Sequence, residues 1–248
     1  MTSHVTTYVV GDPCSHRWHA ANRARADRRI AYRDVNRQAQ WRWGTTESSI
    51  TKLASFRRTG KATLIGRQDD AIHLRVEPFA TKYQPWHNHA HHIIPRSVLA
   101  GALEQIANNA SPHEGRAFDV MVHGLLDEPY NLNHEPNVMM LPVEDDDAVA
   151  MGLPRHLEGS GPGAVDHPVY NIEVKKMTIK RLAPAYEALM VAIKTAKHQR
   201  EDEVPAVRHV LDGVSSLTYD EILSKTALYR MVGGTKVSLD KIAPILFI

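Results

Sequence analysis

The stretch "NHAHHIIPRS", residues 88–97, sets His89, His91 and His92 directly before two isoleucines and a proline. Imidazoles beside an apolar strand need partners or a chemical task, because a buried polar ring left without a hydrogen bond costs stability. Further on come Asn137 in "PNVMMLP", His156 in "LPRHLEG" and His167 in "VDHPVYN". A divalent ion needs neutral imidazoles that converge, and strand ends and helix starts can hold them. Phosphodiester hydrolysis would use such an ion to hold the phosphate and stabilise the leaving oxygen. It would also need a base to deprotonate water on the opposite side and a group to orient that base. Neighbouring strand residues point to opposite faces, so His91 and His92 cannot share one role. One can bind metal while the other, unligated, serves as base.

The elements that would position these residues follow from pattern. "HRWHAANRARADRRIAYRDVNRQAQWRW" reads as a helix ending near Gly44, rich in Ala and Arg and free of Gly and Pro. "KATLIGRQDDAIHLRVEPFA" reads as a hairpin, with strands over about 62–65 and 71–76 and a turn near Gln68, Asp69 and Asp70. "WHNHAHHIIP" is a short strand stopped by Pro95, and Ser97 can cap a helix from Val98 to about Asn109. Residues 111–136 are mixed and turn-rich, and "NVMMLP" is a second short strand. "VEDDDAVAMGLPRHLEGSGPGAVD" reads as loop. A long helix is expected from Pro168, in its first turn, to about Gln199, with a kink at Pro184. Tyr170, Val174, Met177, Leu182, Tyr186, Leu189 and Ile193 would form its apolar stripe. "EDEVPAVRHV" is a connector, "TYDEILSKTALYRMV" a short helix ended by Gly233 and Gly234, and "IAPILFI" an apolar tail that packs on the body.

With 248 residues, 43% of them hydrophobic, the chain can bury a sizeable core. Its one cysteine, Cys14, excludes an internal disulfide and a four-cysteine zinc site. No apolar run reaches the roughly 20 residues needed to span a bilayer, and "MTSHVTTYVVGDPC" lacks the features of a secretory signal. The net charge is only +2, but residues 17–61 are strongly basic, with Trp18, Trp41 and Trp43 interleaved. Such a face can neutralise phosphates, although a charge run is more often a solvated surface.

Taken in order, "AHHIIP", "PNVMMLP" and "LPRHLEGSGPGAVDHPVYNIEV" resemble the AHH nuclease group of the HNH/endonuclease VII superfamily. These are ββα-metal nucleases, and many AHH members are toxin domains of bacterial competition systems. The matching stretch covers about residues 86–180, some 40% of the chain. The resemblance implies an α+β fold with a ββα-metal finger core embedded in a mostly helical chain. It divides the chain into a basic helical region with a hairpin (1–80), the nuclease domain (81–200) and a helical C-terminal extension (201–248). His91 would be the first metal ligand, His92 the general base, and Asn137 the brace of the base-bearing loop. His156 and His167 would complete the metal site. Tyr170 and Asn171 would sit on the finger helix near the phosphate or in support, and Arg96 would bind substrate. Two departures matter. Asn137 lies 45 residues after His92, so an insertion holding the helix at 98–110 is implied. His156 and His167 are 11 residues apart, so "EGSGPGAV" must loop out for both to converge. Otherwise Asp166 or a water would take the fourth position.

The resemblance further implies one divalent ion, Mg²⁺ first, with Zn, Mn or Ni as alternatives, and DNA in preference to RNA. The toxin reading adds a cognate immunity protein, expected to be acidic, and no membrane partner. It implies synthesis in a bacterial cytoplasm, export by a specialised secretion system, and action in the target-cell cytoplasm. Two other readings stand beside it. One is a restriction- or phage-type endonuclease without an immunity partner. The other is a non-catalytic nucleic-acid-binding module whose histidines hold a structural zinc, which takes four protein ligands. His73, His87, His89, His113, His123 and His134 read as structural, with His89 the best exception because it shares a strand face with His91. The group Cys14, His16 and His19 also reads as structural.

Overall fold

The computed structural model describes residues 9–30, 61–68, 71–77, 88–109, 114–143, 145–157, 167–194, 204–234 and 237–248. Its helices are α1 (His16–Ala26), α2 (Arg96–Asn108), α3 (Glu114–Asp127), α4 (Asp145–Met151), α5 (Pro168–Ala185), α6 (Glu187–Lys194), α7 (Arg208–Met231) and α8 (Leu239–Ile242). Its strands are β1 (Lys61–Gln68), β2 (Ala71–Glu77), β3 (Asn88–His92) and β4 (Val138–Pro142), forming two separate antiparallel pairs, β1–β2 and β3–β4. The class is α+β and mostly helical. The β1–β2 hairpin is longer than its sequence suggested and carries a bulge between Leu64 and Gly66. Its expected turn residues Asp69 and Asp70 lie outside the described residues.

The β3–β4 pair is the structural centre of the candidate site. Its register runs from Asn88 opposite Pro142 to His92 opposite Val138. Directly opposed residues share a face, so His89, His91, Met139 and Leu141 line one side, and Ala90, His92, Val138 and Met140 the other. Every residue of β4 is buried, as its unbroken apolar run requires. On the His92 side lies α1, whose His16 ring stacks on the His92 ring at 5.0 Å. On the opposite side the start of α5 brings His167 and Tyr170 against His91. A single core of buried side chains continues from Ile93 and Ile94 through α2, α3, α5 and α7 to Leu246.

Several elements differ from expectation for identifiable reasons. The first helix stops at Ala26 because Asp27 adopts extended backbone, φ −77° and ψ 112°. The Asp27 carboxylate accepts from the Arg29 backbone N–H, the Arg29 guanidinium and the Tyr219 hydroxyl, a local competitor to helical bonding. Residues 31–60, with Trp41, Trp43 and most of the basic stretch, lie outside the described residues. Pro95, not Ser97, stands at the N-cap of α2, without a side-chain cap bond. Residues expected to be turn-rich form α3, whose buried Ala117, Met121 and Leu125 recur at helical spacing. Within the expected loop, α4 forms and is ended by Gly152 at φ +73°. The expected long helix divides at Tyr186, two residues past Pro184, into α5 and α6.

The last long helix is also longer than expected. Its upstream half looks too polar for a buried helix, yet the polar groups are paired. Thr218 and Thr226 hydroxyls donate to the carbonyls of Val214 and Ile222, and Ser215 donates to Asn137. The Glu128 carboxylate accepts from the Val207 and Arg208 N–H groups and so caps the start of α7. No helix among the described residues is long and apolar enough to cross a membrane.

Arg23 fastens α1 to the β4 entrance. Its guanidinium donates to the carbonyls of Glu135, Pro136 and Val138 at 3.3, 2.7 and 3.2 Å, and lies 3.6 Å from the centre of the Tyr219 ring. Arg23→Met keeps the apolar stem but removes the donors. It should lower unfolding free energy by roughly 2–3 kcal/mol in a denaturant titration, because those carbonyls lose a charged partner. An unchanged midpoint would mean that α1 is held by apolar contact alone.

Candidate metal centre

Strand alternation delivers the first histidine. Within β3, His91 points away from α1 and is 2% exposed, while the next residue, His92, points toward α1 and is half-buried. His156 arrives from the short segment after α4. Its backbone N–H donates to the Pro142 carbonyl at 2.9 Å, which ties it to the end of β4. The neighbouring Arg155 forms a bridge with Ser238 and an ion pair with Asp145 at 2.7 Å. His167 is the residue preceding α5 and is 7% exposed. The first turn of α5 is held from outside the helix, since the Tyr170 N–H donates to the Asp240 carboxylate at 2.9 Å.

Three separate parts of the chain therefore bring His91, His156 and His167 together, with one ligand atom of each lying within 4.8 Å of the others. The ring centres are 4.7 Å apart for His91 and His167, 5.1 Å for His91 and His156, and 5.0 Å for His156 and His167. The 11-residue gap between His156 and His167 does not prevent convergence. The intervening residues 158–166, including Asp166, lie outside the described residues.

The donor set fits a metal ion on three counts. First, burial and the neighbouring imidazoles hold His91 well below its ordinary pKa of 6.5. The same causes, burial first, bring His156 down to about 3. Both rings are therefore neutral near pH 7 and carry lone pairs. Second, two imidazoles on one tetrahedral ion at about 2.0–2.1 Å have donor nitrogens roughly 3.3 Å apart. His156 Nε2 and His91 Nδ1 are 3.1 Å apart. Third, one nitrogen from each of the three rings lies within 4.8 Å of the other two, and three protein ligands are what a zinc site with an open position uses.

Asn137 secures the strand exit. It is 1% exposed and closes the 3₁₀ turn Glu135–Asn137 immediately before β4. Its carbonyl accepts from the Ile93 N–H at 2.8 Å, extending the sheet one step past His92. The Asn137 side-chain oxygen accepts from the Ile94 N–H and the Ser215 hydroxyl, and its amide donates to the Ile94 and Leu132 carbonyls. All four side-chain hydrogen-bonding positions are thus used. Tyr170 adds a further tie, donating its hydroxyl to the Ile93 carbonyl at 2.8 Å.

His92 faces a different environment from His91. Its Nε2 lies 2.9 Å from the Asn133 side-chain oxygen. An amide oxygen only accepts, so in this arrangement neutral His92 carries its proton on Nε2 and keeps the lone pair on Nδ1. Asn133 is itself placed by Asn131, whose carboxamide oxygen accepts from the Asn133 N–H and whose amide donates to the Pro13 carbonyl.

The other expected positions sort as follows. Tyr170, expected to bind substrate or to support the site, is 0% exposed and spends its hydroxyl on the Ile93 carbonyl, which ties α5 to the loop after β3. Asn171 is half-buried on α5, and Arg96 is exposed at the start of α2. His16 and His19 are buried on the α1 side, away from the three-histidine cluster, and His123 is exposed. His134 is half-buried with its ring 6.1 Å from that of His19. The side chain of His73, and both His87 and His113, lie outside the described residues. Asn133 was not among the expected residues and His16 was expected to be structural; both meet His92 only through long-range folding. His89, expected to be structural but the best exception, reaches His156 at 3.1 Å. Comparison with protein-family models, with curated proteins and with solved structures finds no match.

Two outcomes follow from this geometry. Neutral His91 and His156 have folded-state pKa values below that of an unfolded imidazole, so in acid the unfolded chain binds more protons. Stability of the metal-free protein should therefore be full above about pH 6.5 and decline as the pH falls from there toward about 3, read as a falling denaturant midpoint between pH 7.5 and pH 5. A midpoint flat across that interval would contradict a lowered proton affinity of His91 and His156. Separately, Asn137→Ala should cost roughly 2–4 kcal/mol, because the Ile94 and Leu132 backbone groups are left buried and unpaired.

Proposed function

We propose that this chain is a metal-dependent endonuclease of the ββα-metal type that hydrolyses phosphodiester bonds of DNA. The observation that carries this reading is the division of labour on β3. His91 turns into a cluster with His156 and His167, and His92, the next residue, turns to the other side, half-buried and hydrogen-bonded through Nε2. The order of β3, β4 and α5 around that cluster supports a ββα-metal finger, as the resemblance to AHH nucleases implies. Among the described residues the cluster holds three imidazoles and no carboxylate, which suits a first-row transition ion such as Zn²⁺ or Ni²⁺ better than Mg²⁺, which prefers oxygen ligands.

In this reading the three histidines hold the ion, and when bound it supplies positive charge to the phosphate and the leaving oxygen. His92 is the general base. A water oxygen attacks phosphorus, its proton passes to His92 Nδ1, the bond to the leaving sugar oxygen breaks, and solvent returns a proton to that oxygen. Asn133 orients the base, while Asn137 and Tyr170 fix the loop that follows it. Arg96 beside the strand exit, and Lys176, Lys180 and Arg181 on the exposed face of α5, offer cations for the phosphate backbone. DNA is preferred over RNA, and the roles of antibacterial toxin and cognate acidic immunity protein belong to the same proposal. These last points rest on the resemblance alone.

A second reading has one observation in its favour. The His89 ring stands beside that of His156, so a fourth imidazole is near a site that a structural zinc would close with four ligands, although its 3.1 Å contact is with His156 Nδ1, the nitrogen turned away from His91. Plasmid digestion separates the two. With Zn²⁺ or Ni²⁺ added, the wild type should nick supercoiled plasmid, and chelator should stop it. His92→Ala should cut at least 100-fold more slowly while retaining metal. His167→Ala should lose both metal and cleavage. Metal retained by the wild type without cleavage of DNA or RNA would favour the structural zinc. Cleavage by His92→Ala at the wild-type rate would remove His92 as base.

A further inference from the structure

His156 offers a different nitrogen to each of two neighbours. Its Nε2 faces inward, 3.1 Å from His91 Nδ1, and its Nδ1 faces outward, 3.1 Å from Nδ1 of His89. The His89 and His156 rings meet edge to face, with centres 5.0 Å apart. A neutral imidazole carries one proton, and two ring nitrogens 3.1 Å apart are satisfied when one donates and the other accepts. For His156 to ligate through its inward Nε2, the proton must sit on Nδ1, and Nδ1–H then needs an acceptor. The nearest ring nitrogen given by the structure is that of His89. Metal-bound histidines ordinarily donate their second N–H to an outer acceptor, which fixes the tautomer, and losing that acceptor weakens the metal by about 10- to 100-fold.

We propose that His89 is a positioning residue of the metal centre, accepting the His156 Nδ1–H so that His156 presents Nε2 to the ion. The inference rests on the three-histidine metal site but not on nuclease activity. Strand alternation explains why the position is available, since His89 is two residues before His91 on the same face of β3. Exposure explains why it is not a fourth ligand: His89 lies at the solvent edge of the cluster, on the far side of the His156 ring from His91. One strand thus carries an inner ligand at His91, an outer acceptor at His89 and, on its other face, the proposed base at His92.

Co²⁺ serves as probe, because its ligand-field bands report the ligands directly. Its affinity is measured by competition with a chromophoric chelator for the full chain, His89→Ala and His89→Asn. Asparagine places an amide oxygen close to where Nδ1 stood and so restores an acceptor. His89→Ala is expected to weaken Co²⁺ by about 10- to 100-fold with unchanged bands, and His89→Asn to recover most of the loss. His89 is exposed, so thermal melts of the metal-free variants should match the wild type. Wild-type affinity in His89→Ala overturns the inference. So does a changed band pattern, which would make His89 a ligand, or a failure of Asn to restore affinity. If the wild type takes up no Co²⁺, the metal site and this inference fall together. If it takes up Co²⁺ and the His89 series behaves as expected, but no nucleic acid is cut, the inference stands and only the nuclease reading fails.

Discussion

Crowding His91 and His156 into one mostly buried space beside His167 disfavours a charge on either of those two rings, because it would be desolvated and would lie against neighbouring imidazoles. Burial is the largest cause of the depressed proton affinity of both His91 and His156, and the neighbouring rings add to it. The same crowding that is costly for a proton is favourable for a single divalent cation, whose charge all three lone pairs can share. The protein has therefore put its stability at stake on this cluster, and its backbone is arranged to keep the rings from drifting apart.

That arrangement draws on distant parts of the chain. His91 is fixed by strand pairing, His156 by the end of β4 and the Ser238 bridge, and His167 by the helix that begins at Pro168. Asp240, from the C-terminal region, holds the first turn of α5. Asn137 holds Ile93 through its carbonyl and Ile94 through its side chain, and Tyr170 holds the Ile93 carbonyl, so the strand is fixed at its exit. A slip of one residue along β3 would exchange the faces of His91 and His92 and leave neither in its place.

Much of the candidate site was legible in the sequence because its logic is local. Alternation along "HAHH" sets His91 and His92 on opposite faces, and Pro95 and Pro168 mark a strand exit and a helix start. Pro184 signals where the expected long helix divides. What was hidden depends on contacts between residues far apart. Asp27 ends α1 partly through Tyr219, 192 residues away. The polar residues of α7 look unsuited to a core until their carbonyl and Asn137 partners are known. Helix α4 was obscured by its acidic run, one member of which, Asp145, is neutralised by Arg155. Asn133 and His16 reach His92 from 41 and 76 residues away, and nothing near either residue announces it.

X-ray absorption at the zinc edge, on protein loaded with one equivalent of Zn²⁺, addresses the cluster most directly. Ligation by His91, His156 and His167 requires three imidazole nitrogens at about 2.0–2.1 Å, with the outer-ring scattering typical of histidine, and loss of that histidine-bound zinc in His167→Ala. Zinc surrounded by oxygen, or a spectrum that His167→Ala leaves unchanged, would contradict a metal centre at this place.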